Sequence, residues 1–147
     1  MKKKIKFNKP FISFNSKKNL LSVLKNNTLS DGYYQNEAEK LIEKQIKSKY
    51  IILTQSCSDA LEASIILLDI KKGDEVIMPS YTFTSTANCV LLRGGKPVFV
   101  DINEKNLNID LSHVKKKITK KTKAIILVHY AGISCNMDEI IKMKKKT

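Results

Sequence analysis

The fold is decided by two stretches, YIILTQSCSDAL at residues 50–61 and GDEVIMPSYTF at residues 73–83. In the first, an apolar run predicts a strand at 50–54, and the small hydroxyl residues after it predict the start of a helix. In the second, another apolar strand ends at Pro79, before a loop with two aromatic rings. An anionic group can bind at the first turn and a flat ligand can lie against the second. Together the two stretches predict a ligand pocket.

The chain after residue 50 alternates Ile- and Val-rich runs with helical patterns. Further strands are predicted at 75–78, 97–100 and 124–128, and helices at 57–69, 83–93 and 110–118. Short apolar runs without polar alternation are typical of strands covered on both faces. The alternation predicts crossover units, and therefore an α/β fold with a mostly parallel or mixed sheet between two layers of helices. Glycines near 73 and 94 predict left-handed helix C-caps, and Asp110 predicts an N-cap.

Two segments are predicted. Residues 1–49 read as an extended stretch followed by a short helix near 20–26 and an amphipathic helix near 38–46, which has an apolar inner stripe. Residues 50–147 read as an α/β domain that is incomplete, because the helix predicted from Met137 has no strand after it. An α/β sheet that stops in the middle of a crossover unit suggests part of a longer protein.

The net charge of +13 would suit a nucleic-acid partner, but the sequence favours a solvated, lysine-rich surface. Of the 27 basic residues only Arg93 is an arginine, and no aromatic residues alternate with the lysines. Nucleic-acid readers rely on arginine forks and stacked rings. We therefore expect no nucleic-acid partner.

Composition also indicates the compartment. No run approaches the roughly 18 apolar residues of a membrane span, and MKKKIKFNKP lacks the apolar core of a signal peptide. The three cysteines form no C-x-x-C motif, which predicts reduced thiols and a cytoplasmic location without membrane attachment. With two histidines in the chain, no metal site is predicted.

The turn at Cys57, Ser58 and Asp59 has two interpretations. At a helix start, unpaired amides and the helix dipole attract phosphate, and the Ser58 hydroxyl can add a bond. Ser56 followed three residues later by Asp59 is also a helix-capping arrangement that needs no ligand. The turn has no G-x-G-x-x-G or Walker pattern, which argues against a dinucleotide or P-loop site.

The residues that follow the other predicted strands also allow more than one interpretation. Phe83 follows a strand end, where α/β proteins bind ligands, and could stack on a heteroaromatic ring or be the first core residue of the next helix. Asp101 is favoured as a turn residue, and His129 is favoured as structural rather than catalytic.

The chain resembles the N-terminal part of the pyridoxal-phosphate-dependent sugar aminotransferases, which have the aspartate-aminotransferase fold (fold type I). The similarity extends from FNKP at residues 7–10 through GDEVIMPSYTF to VHYAG at residues 128–132. Within that family the chain looks most similar to the dTDP-4-amino-4,6-dideoxygalactose transaminase branch. The expected fold is then part of the three-layer α/β/α large domain of fold type I.

The resemblance also implies a chemistry. It predicts pyridoxal 5'-phosphate as cofactor, with its phosphate at Cys57, Ser58 and Asp59 and its ring under Phe83. It predicts transfer of an amino group from L-glutamate to the 4-keto carbon of a dTDP-4-keto-6-deoxyhexose, in a full-length homodimer. Many members of this family have glycine where this chain has Cys57, and cysteine cannot take a glycine-only conformation.

The same resemblance predicts that two catalytic groups lie beyond residue 147. These are the aspartate that pairs with the pyridine nitrogen and the Schiff-base lysine, so the chain alone is expected to be inactive. The alternatives are a non-catalytic remnant or interaction module of the same fold, and a C3-dehydratase in place of a transaminase.

Overall fold

The computed structural model describes residues 8–27, 29–30 and 32–144. The elements are, in chain order, α1 (Phe14–Lys25), α2 (Tyr33–Ile46), α3 (Cys57–Leu67), β1 (Glu75–Pro79), α4 (Ser85–Leu92), β2 (Lys96–Val100), α5 (Leu111–Lys117), β3 (Thr122–Ile125), a 3-10 turn (Tyr130–Gly132) and α6 (Met137–Lys144). The chain divides into two compact units, and the division falls after Leu53. In the ranges described, none of the helices has the length and apolar character required to cross a bilayer.

The second unit is built on a parallel three-stranded sheet in the order β2-β1-β3. The register places Met78 opposite Phe99 and Ile77 opposite Ile125. The central strand β1 is buried along its whole length, and its side chains alternate between two cores. Val76 and Met78 pack with α3 and α4, whereas Ile77 packs with α5 and α6. The α/β prediction, with a parallel sheet covered on both faces, is confirmed.

Two predicted strands differ from the structure. The stretch 50–54 forms no strand, and Ile52 is 77% exposed. An apolar run becomes a strand only where a neighbour takes up its backbone hydrogen bonds, and no strand of the described chain pairs with this one. The third strand of the sheet is Thr122–Ile125 rather than 124–128, although the Ile126 amide still donates to the Ile77 carbonyl (2.8 Å).

The first unit contains both predicted helices, but the apolar stripe of α2 is largely exposed. No residue of α1 or α2 is buried, and Leu41 and Ile46 on the predicted inner face of α2 are mostly exposed. An amphipathic helix gains most of its stability by packing its apolar face. Ala38 and Ile42, the other two residues of the predicted stripe, are half-buried, so the described structure covers the stripe only in part.

Helix ends in the second unit follow local chemistry. The Asp110 carboxylate accepts from the Ser112 amide (2.8 Å), which confirms the predicted N-cap. Gly94 takes the predicted left-handed conformation after α4, with φ of 76°. The left-handed residue directly after the C-cap of α3 is Asp69 (φ 52°), since aspartate tolerates this region better than most non-glycine residues. Gly73 also has a positive φ (97°) but lies further along, in the turn before β1.

Glu75 predicts an acid-dependent stability. Its buried carboxylate accepts from the Thr119 hydroxyl (2.7 Å) and pairs with the Lys96 ammonium (3.2 Å), so it connects β1 to β2 and to the turn before β3. The Thr119 hydrogen bond first, and then Lys96, hold the pKa of Glu75 below its ordinary value of 4.5. A lowered folded pKa stabilises the fold fully above the unfolded value, and this contribution is lost as pH falls through the folded pKa.

We expect urea unfolding of the chain to show stability that declines below about pH 4.5. Glu75→Gln should be less stable at neutral pH and should show a shallower acid decline. Thr119→Val is the companion variant: it keeps the carboxylate but removes the largest cause of the pKa shift, so it should also make the acid decline shallower. An acid decline unchanged in Glu75→Gln would contradict this assignment.

Candidate cofactor site

The carboxyl ends of β1 and β3 open onto a cavity of about 710 Å³. Its walls come from the first turn of α3, from the loop between β1 and α4, and from residues 126–130 after β3. The predicted site residues Cys57, Ser58 and Phe83 line this one cavity, although 26 positions separate the first from the last. Parallel strands bring their carboxyl ends to one edge, which is why distant loops meet there.

The first turn of α3 presents two unpaired donors. Ser56 is the N-cap, and its carbonyl accepts from the Ala60 amide (3.2 Å). In the part of the chain that the structure describes, the amides of Cys57 and Ser58 donate to no protein group. Cys57 has no positive φ, so the absence of glycine costs the turn nothing. These amides, with the Ser58 hydroxyl and the positive end of the helix dipole, form an anion-binding arrangement.

Asp59 differs from the other predicted residues. Its amide donates to the Ser56 hydroxyl oxygen (3.1 Å), and the residue does not line the cavity. The capping interpretation therefore applies at Asp59, and the anion-binding arrangement is confined to the two residues before it. The capping interpretation is confirmed by the Asp59 hydrogen bond, and the anion-binding interpretation stays a prediction for the amides of Cys57 and Ser58.

Phe83 lies in the loop before α4 with its side chain 74% exposed. An exposed ring on the cavity wall is not the core residue that the alternative interpretation predicted. The ring therefore has a free face on which a planar ligand can stack.

Several cavity residues were not among the predicted site residues. Tyr81 lies in the loop after β1 and Tyr130 in the 3-10 turn after β3, and their hydroxyls lie 2.9 Å apart. The Thr82 and Thr86 hydroxyls, also 2.9 Å apart, lie in the same wall. The sequence signal for both tyrosines was their place just after a strand, the same signal that selected Phe83.

His129 and Asp101 have structural contacts. The His129 Nδ1 accepts from the Cys135 amide (3.0 Å), so in the neutral ring Nε2 bears the proton. The Asp101 carboxylate accepts from its neighbour Ile102 (2.8 Å), and its carbonyl accepts from the Asp110 amide (2.9 Å). These contacts agree with the predicted turn aspartate. His129 also lines the cavity, so its structural role stays a prediction.

The lining of the cavity suits a phosphorylated aromatic ring. It combines the unpaired amides of α3 with aliphatic side chains and an exposed aromatic ring, and none of the described residues that line it is acidic. A carboxylate in the lining would repel a phosphate, whereas flat apolar walls suit a heterocycle. The donor set therefore fits pyridoxal phosphate.

Comparison with known proteins identifies the family. The sequence profile described as the DegT/DnrJ/EryC1/StrS aminotransferase family matches residues 11–147. The chain belongs to this family. The match confirms the sugar-aminotransferase resemblance at the level of the family, and the particular branch named above is a proposal.

Relatives in the DegT/DnrJ/EryC1/StrS family match this chain over part of their length. The 3-oxo-glucose-6-phosphate:glutamate aminotransferase of Bacillus subtilis is 37% identical over 121 residues, which are 82% of this chain and 27% of the relative. GDP-perosamine synthase of Escherichia coli O157:H7 is 34% identical over 116 residues, which are 79% of this chain and 32% of the relative. The match thus spans 27% and 32% of the length of these two relatives.

A solved structure gives the same result for the fold. The sugar aminotransferase Spr1654 of Streptococcus pneumoniae superimposes with a TM-score of 0.91 and 30% identity, over 97% of this chain and 36% of that protein. It has been solved in pyridoxamine-phosphate, pyridoxal-phosphate and cofactor-free forms. Fold type I and pyridoxal phosphate as the cofactor of this family are therefore confirmed.

Proposed function

We propose that this chain is the cofactor-binding, N-terminal part of a nucleotide-sugar aminotransferase. The proposed reaction moves an amino group from L-glutamate to the 4-keto carbon of a dTDP-4-keto-6-deoxyhexose. Support for glutamate comes from the Bacillus subtilis relative, whose name includes it, and support for a nucleotide-linked sugar comes from GDP-perosamine synthase. The dTDP carrier and the 4-keto sugar rest on the sequence resemblance alone.

The single observation that carries this proposal is the meeting of two features in one cavity. The unpaired Cys57 and Ser58 amides supply donors for a phosphate, and the exposed face of Phe83 supplies a surface for the ring attached to it. Either feature alone is common in α/β proteins. Together they match the two ends of one phosphorylated heterocycle.

Within this proposal the chain binds and orients the cofactor. The amides of α3 neutralise phosphate charge without a lysine, since the helix dipole and unpaired N–H groups favour an anion. Phe83 restricts the ring to one plane. Asp59 completes the capped turn and contributes geometry rather than a phosphate contact. When bound, the cofactor supplies an electron sink that lets an amino group pass between two carbonyl compounds.

The proposal does not assign proton transfer to any residue of this chain. We propose that the lysine and the aspartate that complete the site lie in the two thirds of the relatives that the chain does not match, so that the chain alone is inactive. Its full-length form is proposed to be a cytoplasmic homodimer. The exposed apolar stripes of α1 and α2 support association. The alternative is an interaction module of the same fold.

Removing the Phe83 ring tests the proposal. We expect Phe83→Ala to weaken binding of pyridoxal phosphate to the 147-residue chain by about tenfold, because the ring loses its stacking partner. Isothermal titration calorimetry measures the dissociation constant. Phe99→Ala is the matched control, because it removes a half-exposed ring on β2 that does not line the cavity. Equal affinities for wild type and Phe83→Ala would exclude the stacking role, and no binding by wild type would overturn the proposed function.

A further inference from the structure

Two loops of the cofactor cavity are joined by a pair of tyrosines. Tyr81 belongs to the loop that carries Phe83, and Tyr130 opens the 3-10 turn after β3. Their hydroxyls are hydrogen bonded at 2.9 Å, and their rings lie 5.0 Å apart at an angle of 35°. The position of the Phe83 loop is therefore coupled to the position of the Tyr130 turn.

The Tyr130 turn is held by a residue outside the cavity. Asn108 lies in the loop between β2 and α5 and is buried, with 3% of its surface exposed. Its Oδ1 accepts from the Tyr130 amide (3.0 Å), and its Nδ2 donates to the Ile133 carbonyl (3.1 Å). One amide group thus bonds both ends of the same turn.

The turn needs such support because its backbone is strained. Ala131, between the two bonded positions, has φ of 50°, in the left-handed region that costs alanine about 1 kcal/mol or more. The residue persists there only when its surroundings determine its conformation. Asn108 adds to that constraint from both ends, beside the turn's own bonds from the Gly132 amide to His129 (3.0 Å) and from the Ile133 amide to Tyr130 (2.9 Å).

We propose that Asn108 is a positioning residue of the cofactor site, which acts by holding the Tyr130 turn and, through the contact of Tyr130 with Tyr81, the loop of Phe83. The inference rests on the proposed function, because it concerns the same site. Asn108 does not line the cavity, so its contribution to binding passes through the turn. It makes no contact with the cofactor in this proposal.

Cofactor affinity tests the inference directly. We expect Asn108→Ala to raise the dissociation constant of pyridoxal phosphate about tenfold and Tyr130→Phe to raise it about threefold. The double variant should bind no more weakly than Asn108→Ala alone, since both changes interrupt one path. Val114→Ala is the control, because it creates a cavity in the core between the sheet and α5. It should lower stability in urea but leave the affinity for pyridoxal phosphate within about twofold of wild type.

A readout without cofactor separates this inference from the proposed function. The Tyr81 hydrogen bond raises the pKa of Tyr130 in the wild-type chain. We expect an alkaline NMR titration of ¹³Cζ-labelled tyrosine to show the Tyr130 pKa falling towards its ordinary value in Asn108→Ala and staying raised in Val114→Ala. The Tyr130→Phe variant identifies the resonance.

Each outcome decides between the alternatives. Unchanged affinity and unchanged Tyr130 titration in Asn108→Ala would overturn the inference. If wild type binds no cofactor, the proposed function fails, and the titration alone decides whether Asn108 sets the tyrosine pair. If Asn108→Ala does not fold, Tyr81→Phe and Tyr130→Phe take its place. If both bind pyridoxal phosphate as tightly as wild type, the coupling of the Tyr130 turn to the Phe83 loop is refuted.

Discussion

Cys57→Pro is expected to weaken binding of pyridoxal phosphate by about 10- to 100-fold while the fold keeps nearly all its stability. The loss corresponds to one hydrogen bond between an amide and a charged phosphate, worth about 1.5–3 kcal/mol. Proline has no N–H, so this substitution deletes the proposed donor and leaves the neighbouring amide of Ser58 in place.

Stability should survive because Cys57 is the first residue of α3. The first helical position tolerates proline well, since its N–H has no partner inside the helix and its φ suits the ring. The residue before a proline must be extended, and Ser56 already is, with φ of −150° and ψ of 162°. The backbone therefore accepts the substitution without rearranging the cap.

Calorimetric titration with pyridoxal phosphate measures the effect, and circular dichroism with urea unfolding verifies the fold. Cys57→Ala is the matched control, because it removes the exposed thiol and keeps the amide. It should bind within about twofold of wild type. Tight binding by a folded Cys57→Pro variant would show that this amide does not contact the phosphate.

The sequence predicted the layers of this fold well because each signal was local. The Ile- and Val-rich runs of β1 and β2 and the cap at Asp110 depend on residues close in the chain. The run at 50–54 failed because strand formation depends on a partner elsewhere, which the run itself does not encode. Likewise, the apolar stripe of α2 shows which face is apolar, not what covers it.

The site was predictable to the same degree. Cys57, Ser58 and Phe83 line one cavity because each follows an apolar run, and parallel strands bring such positions together. The sequence could not show that the Asp59 amide donates to the Ser56 hydroxyl, because both interpretations of the turn allow that hydrogen bond. Asn108 had no signal, because an asparagine within a loop reveals its two bonds only when the turn around Tyr130 is seen.

Gly95→Ala is expected to produce a large loss of stability, about 3 kcal/mol. Gly94 and Gly95 end α4 in a Schellman motif, with the Gly94 amide donating to Leu91 (2.9 Å) and the Gly95 amide to Val90 (3.1 Å). A Cβ on Gly95 would lie 2.6 Å from Cγ2 of Ile70 and 2.9 Å from Cγ1 of Val90. Both neighbours are buried in the core beneath α3 and α4, so the extra methyl forces the packing to shift.

Two comparisons assign this loss to crowding rather than to the change of residue type. Gly73→Ala makes the same change at φ of 97° with no atom within 4 Å, so its cost of about 1 kcal/mol is the backbone term alone. Ile70→Leu removes the closest methyl at similar volume, so Gly95→Ala should cost less in that background than in wild type, a coupling that a double-mutant cycle in urea measures. If Gly95→Ala costs no more than Gly73→Ala, or if the cycle shows no coupling, the close approach of the two helix ends is not what requires glycine at this position. Crowding is expected to dominate because atoms in a dense interior have no free volume into which to move, whereas the turn at Gly73 is bounded by solvent.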